Sequence, residues 1–147
     1  MSAERLIAAP AERIFAVLTD PSRHCEIDGS GTVSRLVSGD APLSLGSTFS
    51  MNMKLGIRYT IKNRVLEFEE NRLIAWAHFY GHRWRFELES QPDGGTLVRE
   101  TFDWSTALLP WTIELIGAPR KNHPAMEQTL ERLETLVAGD STEDQPN

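Results

Sequence analysis

Two sets of side chains in this chain carry enough chemistry to make a site. One is compact. The stretch "HCEIDGSGTV", residues 24–33, places His24, Cys25, Glu26 and Asp28 ahead of a Gly-Ser-Gly. A metal or a phosphate is the obvious thought, but the spacing suits neither. Adjacent His and Cys side chains point apart, and no second cluster supplies further ligands. "GSG" lacks the Gly-Lys-Ser/Thr of a phosphate loop. We therefore expect no metal and no cofactor here, and read the stretch as helix surface running into a turn. Ile27 is its apolar anchor, Asp28 and Ser30 bond nearby backbone, and Gly29 and Gly31 permit the reversal.

The second set is dispersed: Glu100 with His78 and His82. Glu100 lies between Val98 and Phe102 in an alternating run. Facing inward, it would be a carboxylate in apolar surroundings, which is costly unless it is paired or protonated. Paired with His78 or His82 it suits general acid–base work, removing a proton next to a carbonyl and protonating a leaving oxygen. The plainer alternative is a buried polar pair that orders a ligand or the sheet. No Gly-x-Ser-x-Gly occurs, so no nucleophilic triad is expected.

These residues need elements to position them. "RLIA" (5–8) reads as a first strand. Pro10 opens a helix in which Ile14, Phe15, Val17 and Leu18 follow helical spacing. Asp20-Pro21 interrupts it, and "PSRHCEI" reads as a second short helix. From residue 32 to 105 the pattern is that of strands: 32–38, 46–54, 57–69, 72–80, 82–91 and 95–105, separated by turn chemistry such as "PDGG". A last helix is expected from near Pro124, capped by Asn122 or His123. Met126, Leu130, Leu133 and Val137 form its apolar stripe, with Glu127, Glu131, Arg132 and Glu134 on the wet side, and Gly139 is its stop.

The turns also set register. "PDGG" places Leu88, Phe86, Trp84 and His82 opposite Val98, Glu100, Phe102 and Trp104. "KLGI" pairs Met53 and Met51 with Tyr59 and Ile61, and Phe49 with Asn63. "VLEF" breaks the alternation, so a bulge is expected there, which brings Asn63 near His78. One sheet face then carries Phe49, Met51, Met53, Tyr59, Ile61, Trp76, Trp84, Phe86, Phe102 and Trp104, with Asn63, His78, His82 and Glu100 as its polar groups. Met126 and Leu130 of the last helix face it. Trp111 packs as core or acts as a flap. Any one of these aromatics can be plain core; the set suggests a pocket.

Composition bounds the rest. The chain has 147 residues, 40% of them hydrophobic and 24% charged, with a net charge of −6. One domain over residues 1–139 and an acidic disordered tail over 140–147 are expected. An acidic chain with scattered cations argues against nucleic-acid binding. No apolar run approaches the roughly 18 residues of a spanning helix, so no integral membrane association is expected. No signal peptide is visible, and the single cysteine, Cys25, excludes an intramolecular disulfide, so the cytoplasm is the expected location.

Several stretches resemble a known superfamily: "IAAPAERIFAVLTDPSRH", "IDGSG", "GHRWRFELE", "GGTLVRETFDWS" and "NHPAMEQTLERLETLV". Together they are similar to the START/polyketide cyclase-dehydrase (SRPBCC) superfamily, whose helix-grip fold is shared with the birch-pollen allergen, and most of all to small actinobacterial members. The resemblance covers roughly residues 3–138. It implies an α+β fold, β-αα-β6-α, with a curved antiparallel sheet wrapped around the last helix and an internal cavity. Binding or transport of a small hydrophobic or amphipathic molecule, such as a lipid, polyketide or aromatic metabolite, is the function it favours. A polyketide cyclase or dehydratase using Glu100 with His78 or His82 is the alternative. A co-chaperone-like interaction module is the third. The chain is expected to be a monomer or a homodimer.

Overall fold

Turn chemistry places the hairpins, and the hairpins make the sheet. The computed structural model describes residues 1–31, 33–55, 57–77, 83–103 and 118–143. Its elements are β1 (Ser2–Ile7), α1 (Ala11–Leu18), a 3-10 turn (Pro21–Arg23), α2 (His24–Ile27), β2 (Val33–Ser38), β3 (Thr48–Leu55), β4 (Ile57–Glu69), β5 (Leu73–Ala77), β6 (Arg83–Ser90), β7 (Thr96–Asp103) and α3 (Ala118–Glu143). All neighbouring strands are antiparallel, in one sheet of order β1-β7-β6-β5-β4-β3-β2. This is the expected β-αα-β6-α arrangement.

Register follows the turns residue by residue. Gly94, at φ +88°, supplies the left-handed turn that closes β6 on β7. Leu88, Phe86 and Trp84 then lie opposite Val98, Glu100 and Phe102. Across β3 and β4, Phe49, Met51 and Met53 pair with Asn63, Ile61 and Tyr59. The expected bulge falls between Val65 and Glu67. It turns Phe68 inward, where its ring meets that of Phe15 on α1 at 5.5 Å. Without the slip the inner and outer faces of β4 would exchange beyond this point.

Three sequence expectations need correction. β1 begins at Ser2, three residues early, because pairing from Ser2–Thr101 to Ile7–Thr96 holds a stretch of weak strand propensity. Second, α3 starts at Ala118, so Asn122 and His123 lie inside it and not at its start. Pro124 lies within the helix; what it gives up there is one backbone donor. Third, α3 passes Gly139 and continues to Glu143. An exposed helical glycine costs only about 1 kcal/mol, too little to stop a helix already docked.

The core lies between the sheet's inner face and the three helices. Met126, Leu130, Leu133 and Val137 are fully buried, as their spacing requires. Each contributes on the order of 1.5–3 kcal/mol of apolar burial. Two residues on the wet side of α3 are also its ties. Glu134 accepts two hydrogen bonds from Arg5 of β1, both at 3.2 Å, and Arg132 donates to the Asp28 carbonyl. These bonds seat α3 over β1 and the corner that follows α2.

Candidate functional site

The inner face of β5, β6 and β7 is aromatic. Trp76 and Phe86 lie with ring centroids 5.6 Å apart, and Trp84 and Phe102 at 4.6 Å. Phe86 and Phe102 are buried; the two tryptophans are only partly so. Period-2 alternation puts Glu100 in the same row, beside Phe102 on β7, opposite Phe86 on β6 and Ala3 on β1.

Glu100 is the exception on this surface. It is 3% exposed, and its Oε2 has no hydrogen-bond partner among the described residues. Burial pushes its carboxyl well above the ordinary range, and the charge of Asp28 raises it further. Burial therefore favours its neutral, protonated form. A neutral carboxyl both donates and accepts a hydrogen bond, so it can bind a carbonyl, a hydroxyl or a carboxyl, or give up a proton. An unsatisfied buried polar group costs about 1–3 kcal/mol, which a partner placed against it would recover.

His24 was read as helix surface; it is buried, at 6% exposed. Its Nε2 donates to the Leu18 carbonyl at 2.9 Å. A carbonyl only accepts, so the proton sits on Nε2 and leaves Nδ1 an acceptor. The imidazole stacks on Trp76 at 4.9 Å and meets Phe49 edge-on at 5.3 Å. Burial holds its pKa below the ordinary histidine value, against the weaker raising effects of the Leu18 bond and Asp20. The available signal was the spacing of Pro21, His24 and Ile27, one buried stripe three residues apart.

The turn after α2 behaves as read, and does more. Asp28 accepts from the Ser30 amide and hydroxyl through Oδ1 and from the Val33 amide through Oδ2. Gly29 donates its amide to Thr129 Oγ1 at 2.9 Å. A Cβ at Gly29 would lie 2.1 Å from the Ala125 carbonyl and 2.7 Å from the Thr129 amide. The glycine is there so that the corner can touch the α3 backbone. Nothing local in "IDGSG" announces a contact made 100 residues away.

The other expected site residues divide by depth. Phe49, Met51, Asn63, Met126 and Leu130 are buried; Met53 and Ile61 are partly buried. Tyr59 has the inward register but is 38% exposed. His78, His82, Trp104 and Trp111 lie outside the described residues. The outer face opposite the aromatic wall is a charge ladder. Glu4 pairs with Arg99, Arg99 with Glu87, Glu87 with Arg85, and Glu67 with both Arg85 and Arg83. Ala75 and Ala77 on β5 leave room for these long side chains to span the strand, and Ala75 is wholly covered.

Comparison with known proteins agrees with this geometry. Residues 1–138 match the family described as polyketide cyclase / dehydrase and lipid transport. The uncharacterized protein Rv0088 of Mycobacterium tuberculosis is 43% identical over 90% of this chain, and a second uncharacterized protein from another strain of that species, MT0096, is 42% identical. The chain spans 61% of the length of each. Among solved structures, protein NE0264 of Nitrosomonas europaea superposes with a TM-score of 0.72 at 15% identity, covering 97% of this chain and 96% of that one. The AHSA1-like protein of Aeromonas hydrophila gives 0.64 at 18%, over 100% and 99%. The di-domain aromatase/cyclase StfQ of the steffimycin biosynthetic pathway gives 0.64 at 12%, over 97% of this chain and 51% of that one. At such identities these structures establish the fold alone, the helix-grip fold. No helix among the described residues is long and apolar enough to cross a membrane. On the family match over residues 1–138, the chain belongs to the polyketide cyclase/dehydrase and lipid transport family.

Proposed function

We propose that this protein binds, and as a carrier transports, a small hydrophobic or amphipathic molecule of the lipid, polyketide or aromatic-metabolite kind. The ligand lies against the aromatic inner face, with Glu100 meeting its polar group. The observation that carries this reading is the unpartnered Oε2 of Glu100 beside Phe86 and Phe102. Specificity in such sites comes from a few polar groups set in an apolar wall. Native mass spectrometry of the freshly purified protein is the direct test. A bound small molecule is expected, lost or weakened in Glu100→Leu. No bound species, together with no thermal shift across a panel of lipids and aromatic polyketides, would overturn the reading.

A second reading has one specific support. A buried carboxyl whose pKa is pushed well above the ordinary range by desolvation is suited to general-acid work, the role a cyclase or dehydratase needs for the leaving oxygen. In that reading Glu100 works with His78 or His82. Once a turnover is found, Glu100→Gln decides the matter: a large loss of kcat supports it, and an unchanged kcat excludes Glu100 as the acid.

A further inference from the structure

Charge on the sheet's outer face is used in two different ways. Over β1, β7, β6 and the far end of β4 it is paired, as in the Glu4–Arg99–Glu87–Arg85–Glu67 ladder. On the other wing it is not. Arg35 of β2, Lys54 of β3, and Arg58, Lys62 and Arg64 of β4 share the outer face by register, and all five are exposed. None has a side-chain ion pair or hydrogen bond among the described residues. Between Gly29 and Leu66 the single acidic residue is Asp40, in a chain whose net charge is −6. Cations have been segregated onto one wing, where like charges repel one another unless something anionic joins them.

The same wing ends in exposed hydrocarbon. Ile57, first residue of β4 at the hairpin end, is 73% exposed, and Tyr59 follows at 38%. Beside them a groove of about 620 Å³ is lined by Ser34, Arg35, Met53, Lys54, Arg58 and Tyr59, among others. Three cations and a phenol around one groove suit a phosphate-bearing headgroup. A nucleic acid would satisfy the cations and leave Ile57 in water. A lipid surface satisfies both, because its headgroups are anionic and its acyl boundary takes an aliphatic side chain.

We propose that the β3–β4 hairpin end and the adjoining outer face of β2–β4 dock on an anionic lipid surface, Ile57 entering the acyl boundary while Arg35, Lys54, Arg58, Lys62 and Arg64 meet headgroup phosphates. The contact is peripheral and does not depend on what the inner face binds. Co-sedimentation of the full chain with vesicles tests it. Vesicles of phosphatidylcholine alone are compared with vesicles containing about one part in three phosphatidylserine, at low and raised salt. Binding is expected to the anionic vesicles only and to weaken as salt rises. Lys54→Gln and Arg58→Gln should each cost about fivefold in partition coefficient. Ile57→Ser should weaken binding with every charge retained, whereas Arg23→Gln, at a paired residue on another face, should leave it unchanged. Circular dichroism of each variant confirms that loss of binding is not loss of fold. Equal partition onto both vesicle types, or no partition onto either by folded protein, overturns the proposal. So does full binding by Ile57→Ser, or tight binding to single-stranded RNA or duplex DNA without binding to vesicles; these would make the wing a general polyanion surface.

Discussion

His24 and Glu100 are both buried, both ionisable, and both shifted toward their neutral forms by desolvation. They differ in what surrounds them. Around His24 the polar groups have partners: its Nε2 bonds Leu18, Asp28 bonds Ser30 and Val33, and Gly29 bonds Thr129. At Glu100 an oxygen is left over. The corner from His24 to Gly31 looks reactive on paper and is spent on structure. Glu100, read from the sequence as a carboxylate facing inward among apolar neighbours, is the inner-face group with capacity to spare. A buried polar group that is satisfied belongs to the fold; one that is not marks where a partner can be received.

Four measurements can break or sharpen this contrast. The largest effect is expected from Gly29→Ala. Its methyl would meet the Ala125 carbonyl at 2.1 Å, and backbone cannot yield cheaply. We expect a loss of about 3 kcal/mol or more in chemical denaturation, with faster hydrogen exchange along α3. A wild-type midpoint would show that the corner does not hold the helix.

His24→Ala comes next. It takes the ring away from Trp76 and Phe49 and strands the Leu18 carbonyl, so about 2–4 kcal/mol should be lost. If stability is unchanged and ligand binding fails instead, His24 belongs to the site and the contrast is wrong.

Glu100→Leu should behave in the opposite sense. Removing an unsatisfied carboxyl from an apolar wall should leave stability unchanged or raise it by about 1 kcal/mol, while ligand binding falls. Destabilisation without any change in binding would make Glu100 a structural residue.

The smallest effects are in pH dependence, and their signs differ. The folded state raises the Glu100 pKa above 4.5, so its burial costs nothing below that pH and costs more as pH rises toward the folded value. The folded state lowers the His24 pKa below 6.5, so its burial costs nothing above that pH and costs more as pH falls. Each slope is at most about 1.4 kcal/mol per pH unit. Denaturant midpoints measured from pH 4 to pH 8 should therefore lose their decline toward high pH in Glu100→Gln and part of their decline toward low pH in His24→Gln. Variants that track the wild type at every pH would remove the electrostatic half of the comparison.

The inward row of β7, the Phe49–Asn63 pairing, the bulge after Val65 and the buried stripe of α3 were all legible in the sequence. Each depends on local chemistry: a turn that fixes register, an alternation of period two, a helical repeat. The inward position of Glu100 came with them, because a strand's parity is settled by its neighbours. What the sequence could not supply were the contacts made at long range. His24 is buried because Trp76 and Phe49 arrive from two strands. Gly29 must be glycine because Ala125 and Thr129 lie against it. Arg5 and Glu134, 129 residues apart, join only because α3 crosses β1. Pro124 and Gly139, local signals for the ends of α3, both lie inside the helix. Local chemistry chose which face each side chain takes; only packing decided which of the inward-facing groups would find partners and which would be left without one.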